Sequence, residues 1–145
     1  MSRVTFHTGV ADPVDYTCKL LRKGHRQGLR MRVEAPMDDL ERLDLALWVF
    51  DPQDFVPHVL LRGGEQVPER LHRTLLWLVD PAAGPSAEPV AAQILVRWSL
   101  AEAVDPQAWE RVIEIVSHDP SDRQTARQRW RLYESAGAEL QHHTA

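Results

Sequence analysis

A chain of 145 residues, 43% hydrophobic and 26% charged, has the size and balance of one compact domain and excludes a fibre, a disordered tail or a pair of domains. Such a length buries roughly 70% of the surface the unfolded chain exposes, so no metal or disulfide is needed to hold it together. The net charge of −4, from 17 basic and 21 acidic residues, argues against broad attraction to DNA or anionic membrane but leaves room for a local basic patch.

In chain order, Val4–His7 reads as a strand. The loop after it, His7-Thr8-Gly9-Val10-Ala11-Asp12, has one glycine where a dinucleotide-binding turn needs about three. Asp12-Pro13-Val14-Asp15 is a helix start: the first Asp caps free backbone N–H groups, Pro loses nothing at the first helical position, and the second Asp suits the positive end of the dipole. Val14, Cys18 and Leu21 form the apolar stripe of that helix, with Tyr16 and Leu20 beside it, and Gly24 or Gly28 offers a stop. Leu29–Glu34 follows as a strand. Leu29, Met31 and Val33 alternate there with Arg30, Arg32 and Glu34, the pattern of an outer strand with one face poorly covered. A second helix is expected from Asp38, with Glu41 as its capping-box partner and Leu40, Leu43, Leu47 and Phe50 on one face.

The Asp-Pro-x-Asp signature recurs at Asp51-Pro52-Gln53-Asp54, here as a turn, because Phe55-Val56-Pro57 follows at once. Val56–Leu61, Thr74–Val79, Gln93–Ser99 and Arg111–Ser117 are the remaining expected strands. Arg62-Gly63-Gly64-Glu65 reads as a turn, and the Pro-rich Asp80–Pro89 as a surface loop of no assigned role. Ile113 and Ile115 oppose Val112 and Val116, so the last strand is apolar on both faces. A third signature, Asp119-Pro120-Ser121-Asp122, opens the closing helix. Together these elements predict an α/β three-layer domain over residues 1–145, with a mostly parallel central sheet, helices on both faces and no nucleotide-binding loop. Residues 138–145 can be read as a flexible tail.

Chemistry is sparse. The seven His residues are scattered, with no i,i+4 pair and no cysteine set to complete a zinc site; His142-His143 reads as solvated. Glu114 and Asp119 have no second acid placed for general acid–base work. Cys18 is expected as a small buried side chain. No catalytic residue, metal or cofactor is expected. The absence of a membrane-length apolar run and of a secretory h-region places the chain inside the cell.

Two features stand out. Arg123, Arg127 and Arg131 share one stripe of the closing helix by i, i+4, i+8 spacing. Trp130 borders that stripe, and Ala126, Leu132, Tyr133 and Ala136 fall in the apolar arc. Such a border suits a ligand that joins a hydrophobic end to carboxylates, although a solvated basic face remains the commoner meaning of the pattern. Arg129 lies in the apolar arc, within reach of Glu114 or Asp122. The second feature is Leu47–His58, with Trp48, Phe50 and Phe55: protruding aromatics there would mark a partner surface, and composition favours one of Trp48 and Phe55 in the core and the other exposed.

Leu43-Asp44-Leu45-Ala46-Leu47-Trp48, followed by Phe55-Val56-Pro57-His58, and the block Ala126–Gly137 with its Arg-x-Arg-aromatic-basic-x-Tyr pattern, resemble the chi subunit of bacterial DNA polymerase III holoenzyme over nearly the whole chain. The resemblance implies a Rossmann-like fold without nucleotide and a non-catalytic adaptor. It implies binding to the psi subunit of the clamp loader on one face. On another it implies binding to the acidic C-terminal tail of single-stranded DNA-binding protein (SSB), several Asp residues followed by Ile-Pro-Phe. By that likeness Val116, Arg123, Arg127, Trp130 and Arg131 form the tail pocket, and Trp48, Phe55 and Pro57 the psi-facing surface, where helicase-like proteins are further candidates. Two positions depart from the pattern: Trp130 stands where Tyr is frequent, and Ala138 follows Gly137 where an aromatic is common. Nucleic acid would be met mainly through SSB. The alternatives are a stand-alone single-stranded nucleic-acid-binding module, for which one aromatic beside the basic stripe is thin support, and a degenerate nucleotide-dependent enzyme.

Overall fold

A computed structural model describes residues 2–49, 55–62, 66–83 and 92–145. Its elements in chain order are β1 (Arg3–Val10), α1 (Pro13–Arg26), β2 (Met31–Glu34), α2 (Met37–Val49), β3 (His58–Leu61), β4 (Leu76–Val79), β5 (Ile94–Arg97), β6 (Arg111–Ser117), α3 (Pro120–Ser135) and β7 (Glu139–Thr144), with short 3₁₀ turns at Glu69–Leu71, Pro81–Ala83 and Pro106–Ala108. The strands form one sheet in the order β3-β4-β2-β5-β6-β1-β7, parallel at every junction. The α/β reading and the parallel sheet are thus as expected. Asp51–Asp54, Phe50, Gly63–Glu65 and the greater part of the Asp80–Pro89 loop lie outside the described residues.

The Asp-Pro signatures work as read at both long-capped helices. Asp12 Oδ1 accepts from the backbone N–H of Val14 and Asp15 at 3.0 and 3.3 Å, and Asp119 Oδ1 accepts from that of Ser121 at 2.8 Å. Of the two glycines offered as a stop to α1, Gly28 takes the left-handed conformation (φ +72°) after the helix, while Gly24 stays within it because Met31 packs where a Cβ would stand. The capping box at Asp38 does not form. α2 begins one residue earlier, and the N–H of Met37 donates to Asp80 Oδ2 at 3.0 Å. Glu41 faces Arg62 instead, at 3.6 Å.

Each sheet face has its own core. On one side α1 and α2 bring Cys18, Leu21, Leu40, Leu43 and Leu47 onto Met31, Val33, Leu76, Leu78, Val96, Ile113 and Ile115. On the other, α3 brings Ala126 and Tyr133 onto Val4, Phe6, Leu95, Val112 and Val116. β6 is therefore buried on both faces, as its residues indicate, and Cys18 is a free, buried thiol.

Two further expectations are corrected. β2 is an interior strand between β4 and β5, not an outer one. Its polar residues mislead because they are paired under cover: Glu34 is buried, with Arg32 Nε at 2.9 Å from Oε2 and Arg97 Nε at 3.8 Å from Oε1. The segment read as a tail supplies β7, which lies beside β1 with Val4 opposite Leu140 and His7 opposite His143. Its polar, exposed side chains hide a strand whose stability comes from the backbone ladder with β1.

Candidate functional site

The orientation of α3 is set from inside. Arg129 is buried and ion-paired, its Nε 3.3 Å from Glu114 Oε1, while its Nη1 donates to the carbonyl of Leu100 at 3.0 Å. Of the two partners within its reach in the sequence, Glu114 is the one it meets; Asp122 accepts from the Ser117 hydroxyl at 2.6 Å. Tyr133 donates its hydroxyl to Glu114 Oε2 at 2.6 Å and accepts from the N–H of Val104 at 3.3 Å. Arg97 completes the set, 3.4 Å from Glu114 Oε2 and bonded to the carbonyl of Glu102. Burial holds Glu114 above the ordinary carboxylate range in spite of both guanidiniums, and burial followed by the Glu114 charge pushes the Tyr133 hydroxyl upward.

With Arg129 turned inward, the 100° step of the helix turns Arg123, Arg127 and Arg131 outward, where all three are exposed. They rim a cleft of about 550 Å³ whose apolar wall is Phe6, Val116, Ala126 and Trp130. The Trp130 ring is half-buried and lies 5.2 Å from that of Phe6. No carboxylate lines the cleft, and among the described residues none of the three guanidiniums forms an ion pair. The five residues named from the sequence, Val116, Arg123, Arg127, Trp130 and Arg131, thus meet in one hollow. Leu132 and Ala136, placed in the apolar arc, are instead exposed, Leu132 by 56%, and the buried stripe of α3 runs through Ala126, Arg129 and Tyr133.

The rest of the lining was not foreseen: Phe6, Thr8 and Gly9 from β1, Ser117 at the end of β6 and His118 just after it, and His142 from β7. These are the carboxyl ends of neighbouring parallel strands, where open α/β sheets place their clefts. The lone Gly9, with φ +69°, was the available signal.

A second patch lies across the sheet. Trp48 and Phe55 are exposed by 52% and 55%, ring centroids 5.1 Å apart, so the expectation that one would enter the core is corrected. The core beneath is already filled by Leu47 and Val56. His58 supports the pair: its ring is 5.0 Å from Trp48, Nδ1 is 2.9 Å from the Val56 carbonyl and Nε2 is 2.8 Å from Asp44 Oδ1. Pro57 is half-buried beside them. Leu45 and Val49, also exposed, extend the apolar strip along α2.

A parallel α/β sheet with an arginine-rimmed apolar cleft on one face and a bare aromatic pair on the other has the make-up of a docking module. The chain belongs to the DNA polymerase III chi subunit (HolC) family, which it matches over residues 1–141. It is similar to the DNA polymerase III subunit chi of Pseudomonas aeruginosa PAO1, 30% identical over 149 positions that cover 99% of this chain and 96% of that one. It is also similar to the DNA polymerase III subunit chi of Escherichia coli K12, 29% identical over 138 positions covering 91% and 85%. Family membership makes it a non-catalytic accessory subunit of DNA polymerase III. No helix among the described residues is long and apolar enough to cross a membrane.

Proposed function

We propose that the chain links the clamp loader to SSB, holding psi against the Trp48–Phe55–Pro57 surface and the acidic SSB tail in the α3 cleft. The supporting observation is the cleft itself: three exposed guanidiniums, without acidic partners among the described residues, stand beside a half-buried indole. That combination suits a peptide end carrying both carboxylates and an aromatic ring. Arg127 and Arg131 meet the terminal carboxylate and the Asp run, Arg123 extends the cationic rim, and Val116 with Trp130 encloses the Phe ring. Because α2 and α3 pack on opposite sheet faces, the two partners need not compete. The work is placed in the cytoplasm, at the replisome.

Calorimetric titration with the SSB tail peptide, with and without its final Phe, tests the proposal. Saturable binding that is lost with the Phe is expected. Equal binding of both peptides would mean that the apolar wall is not used, and binding of neither would remove the tail as ligand. Binding of labelled single-stranded DNA without SSB, at comparable salt, would favour the nucleic-acid-binding alternative.

A further inference from the structure

On the sheet face turned away from α3, β6 is apolar through Ile113 and Ile115, but β1, β7 and the start of β6 carry polar residues where a three-layer domain ordinarily has a helix-covered apolar surface. Parallel register brings Thr5 beside Gln141 and His7 beside His143, with Arg111 at the start of β6 on the same side. These residues line a second hollow of about 530 Å³. Thr5 and His7 are 4% and 8% exposed, yet Thr5 Oγ1, His7 Nε2 and Arg111 Nε are buried without hydrogen-bond partners among the described residues. Buried polar atoms are ordinarily satisfied, so three orphans around one hollow call for a polar partner, and Arg111 Nε can only donate to it.

The charge inventory gives the sign. Arg111, His7 and His143 face the hollow, and Arg3 stands next to Arg111 in register. α1 contributes Tyr16, whose hydroxyl meets His7 Nδ1. On this face the nearest acid by register is Glu139, opposite Arg3 at the far end of β7, while Glu114, opposite Phe6, belongs to the other face with Arg129 and Tyr133. Arg111 has no ion pair among the described residues. Burial, and after it the charges of His143 and Arg111, lowers the pKa of His7 to about 4.

We propose that this hollow is a binding site for a phosphate group, with Arg111 as its charged anchor and Thr5, His7, Gln141 and His143 as hydrogen-bond donors. Donors converging from three adjacent strands surround a tetrahedral oxyanion better than a planar carboxylate, and bound phosphate favours protonation of the His7 imidazole. The site is on the opposite sheet face from the α3 cleft and stands independently of what that cleft binds.

The test follows the imidazole Cε1–H signals by NMR while inorganic phosphate is titrated against chloride at constant ionic strength. Saturable shifts at His7 and His143 are expected, with the His7 titration midpoint rising from about 4 by about one pH unit or more. Arg111→Gln weakens binding by about tenfold, the loss of one charge-assisted contact. Thr5→Val, nearly isosteric, gives a smaller loss and serves should Arg111→Gln fail to fold. A short oligothymidylate that shifts the same signals identifies a nucleic-acid strand as the phosphate source, whereas response to inorganic phosphate alone identifies a small phosphorylated ligand. Linear, unsaturable shifts, equal shifts with acetate, unchanged affinity in both variants, or shifts confined to the Trp130 indole would each overturn the site.

Discussion

Replacing Arg129 by Met keeps an unbranched side chain of similar reach but deletes the charge that turns α3 toward the sheet. Two contacts are lost, the 3.3 Å ion pair with Glu114 and the 3.0 Å bond to the Leu100 carbonyl. Removing one partner of a buried pair typically costs about 3–5 kcal/mol. Glu114 still keeps Arg97 and Tyr133, and the Met side chain retains most of the apolar packing, so the expected loss is lower, about 2–4 kcal/mol. Unfolding entropy for a chain of this length is about 0.3 kcal/mol per degree, which converts that loss into a fall in Tm of roughly 7–13 °C. Urea unfolding at pH 7, supported by a thermal scan, measures it. A change below about 1 kcal/mol at constant m-value would show Arg129 to be solvated, and the network that aims the arginine stripe would then be wrong.

Arg127→Ala is expected to weaken SSB-tail binding by about 1.5–3 kcal/mol while leaving Tm nearly unchanged, and equal affinity by calorimetry would reject it as an anchor. Tail affinity should fall as salt is added, since exposed guanidinium–carboxylate contacts are screened; a flat salt profile would indicate apolar docking alone. Phe55→Ala should abolish psi co-purification yet alter stability by no more than about 0.5 kcal/mol, because the ring is exposed; loss of tail binding as well would point to a structural role. His7 takes a proton near 6.5 when unfolded and near 4 when folded. The unfolded chain therefore binds more protons in between, and stability falls as the pH drops through that window, by up to about 3 kcal/mol. Relative to the parent, His7→Gln in phosphate-free buffer should flatten this slope, and parallel curves would exclude His7 as its source.

Among the described residues, capping signatures and hydrophobic periodicity located the three helices and six of the seven strands, because each of those elements buries a face. β7 was missed for the opposite reason: its residues Glu139, Gln141, His142 and His143 are exposed, and its hydrogen bonds are backbone-to-backbone, which leaves no mark in composition. β2 was placed at the wrong position in the sheet because Arg32 and Glu34 look solvated one by one, and only the fold shows them paired beneath Arg97. At the candidate site, the arginine stripe was legible because helical spacing is local. Phe6, His118 and His142 were not, since they reach the same hollow from separate strands, Phe6 more than 100 residues ahead of the other two along the chain and His142 facing Thr8 across the β1–β7 junction. The exposure of both Trp48 and Phe55 depended on Leu47 and Val56 having already filled the layer beneath them.

The place of β1 has a consequence for synthesis. Its only neighbours in the sheet are β6 and β7, so Val4 and Phe6 leave the ribosome with no partner until some hundred further residues have been translated. Pairings this distant in sequence form late and leave apolar edges bare meanwhile. The amino-terminal ribbon is therefore a natural client for chaperones on the nascent chain, and a ribosome stalled before β6 would hold an aggregation-prone fragment, however well α1 and α2 had already packed.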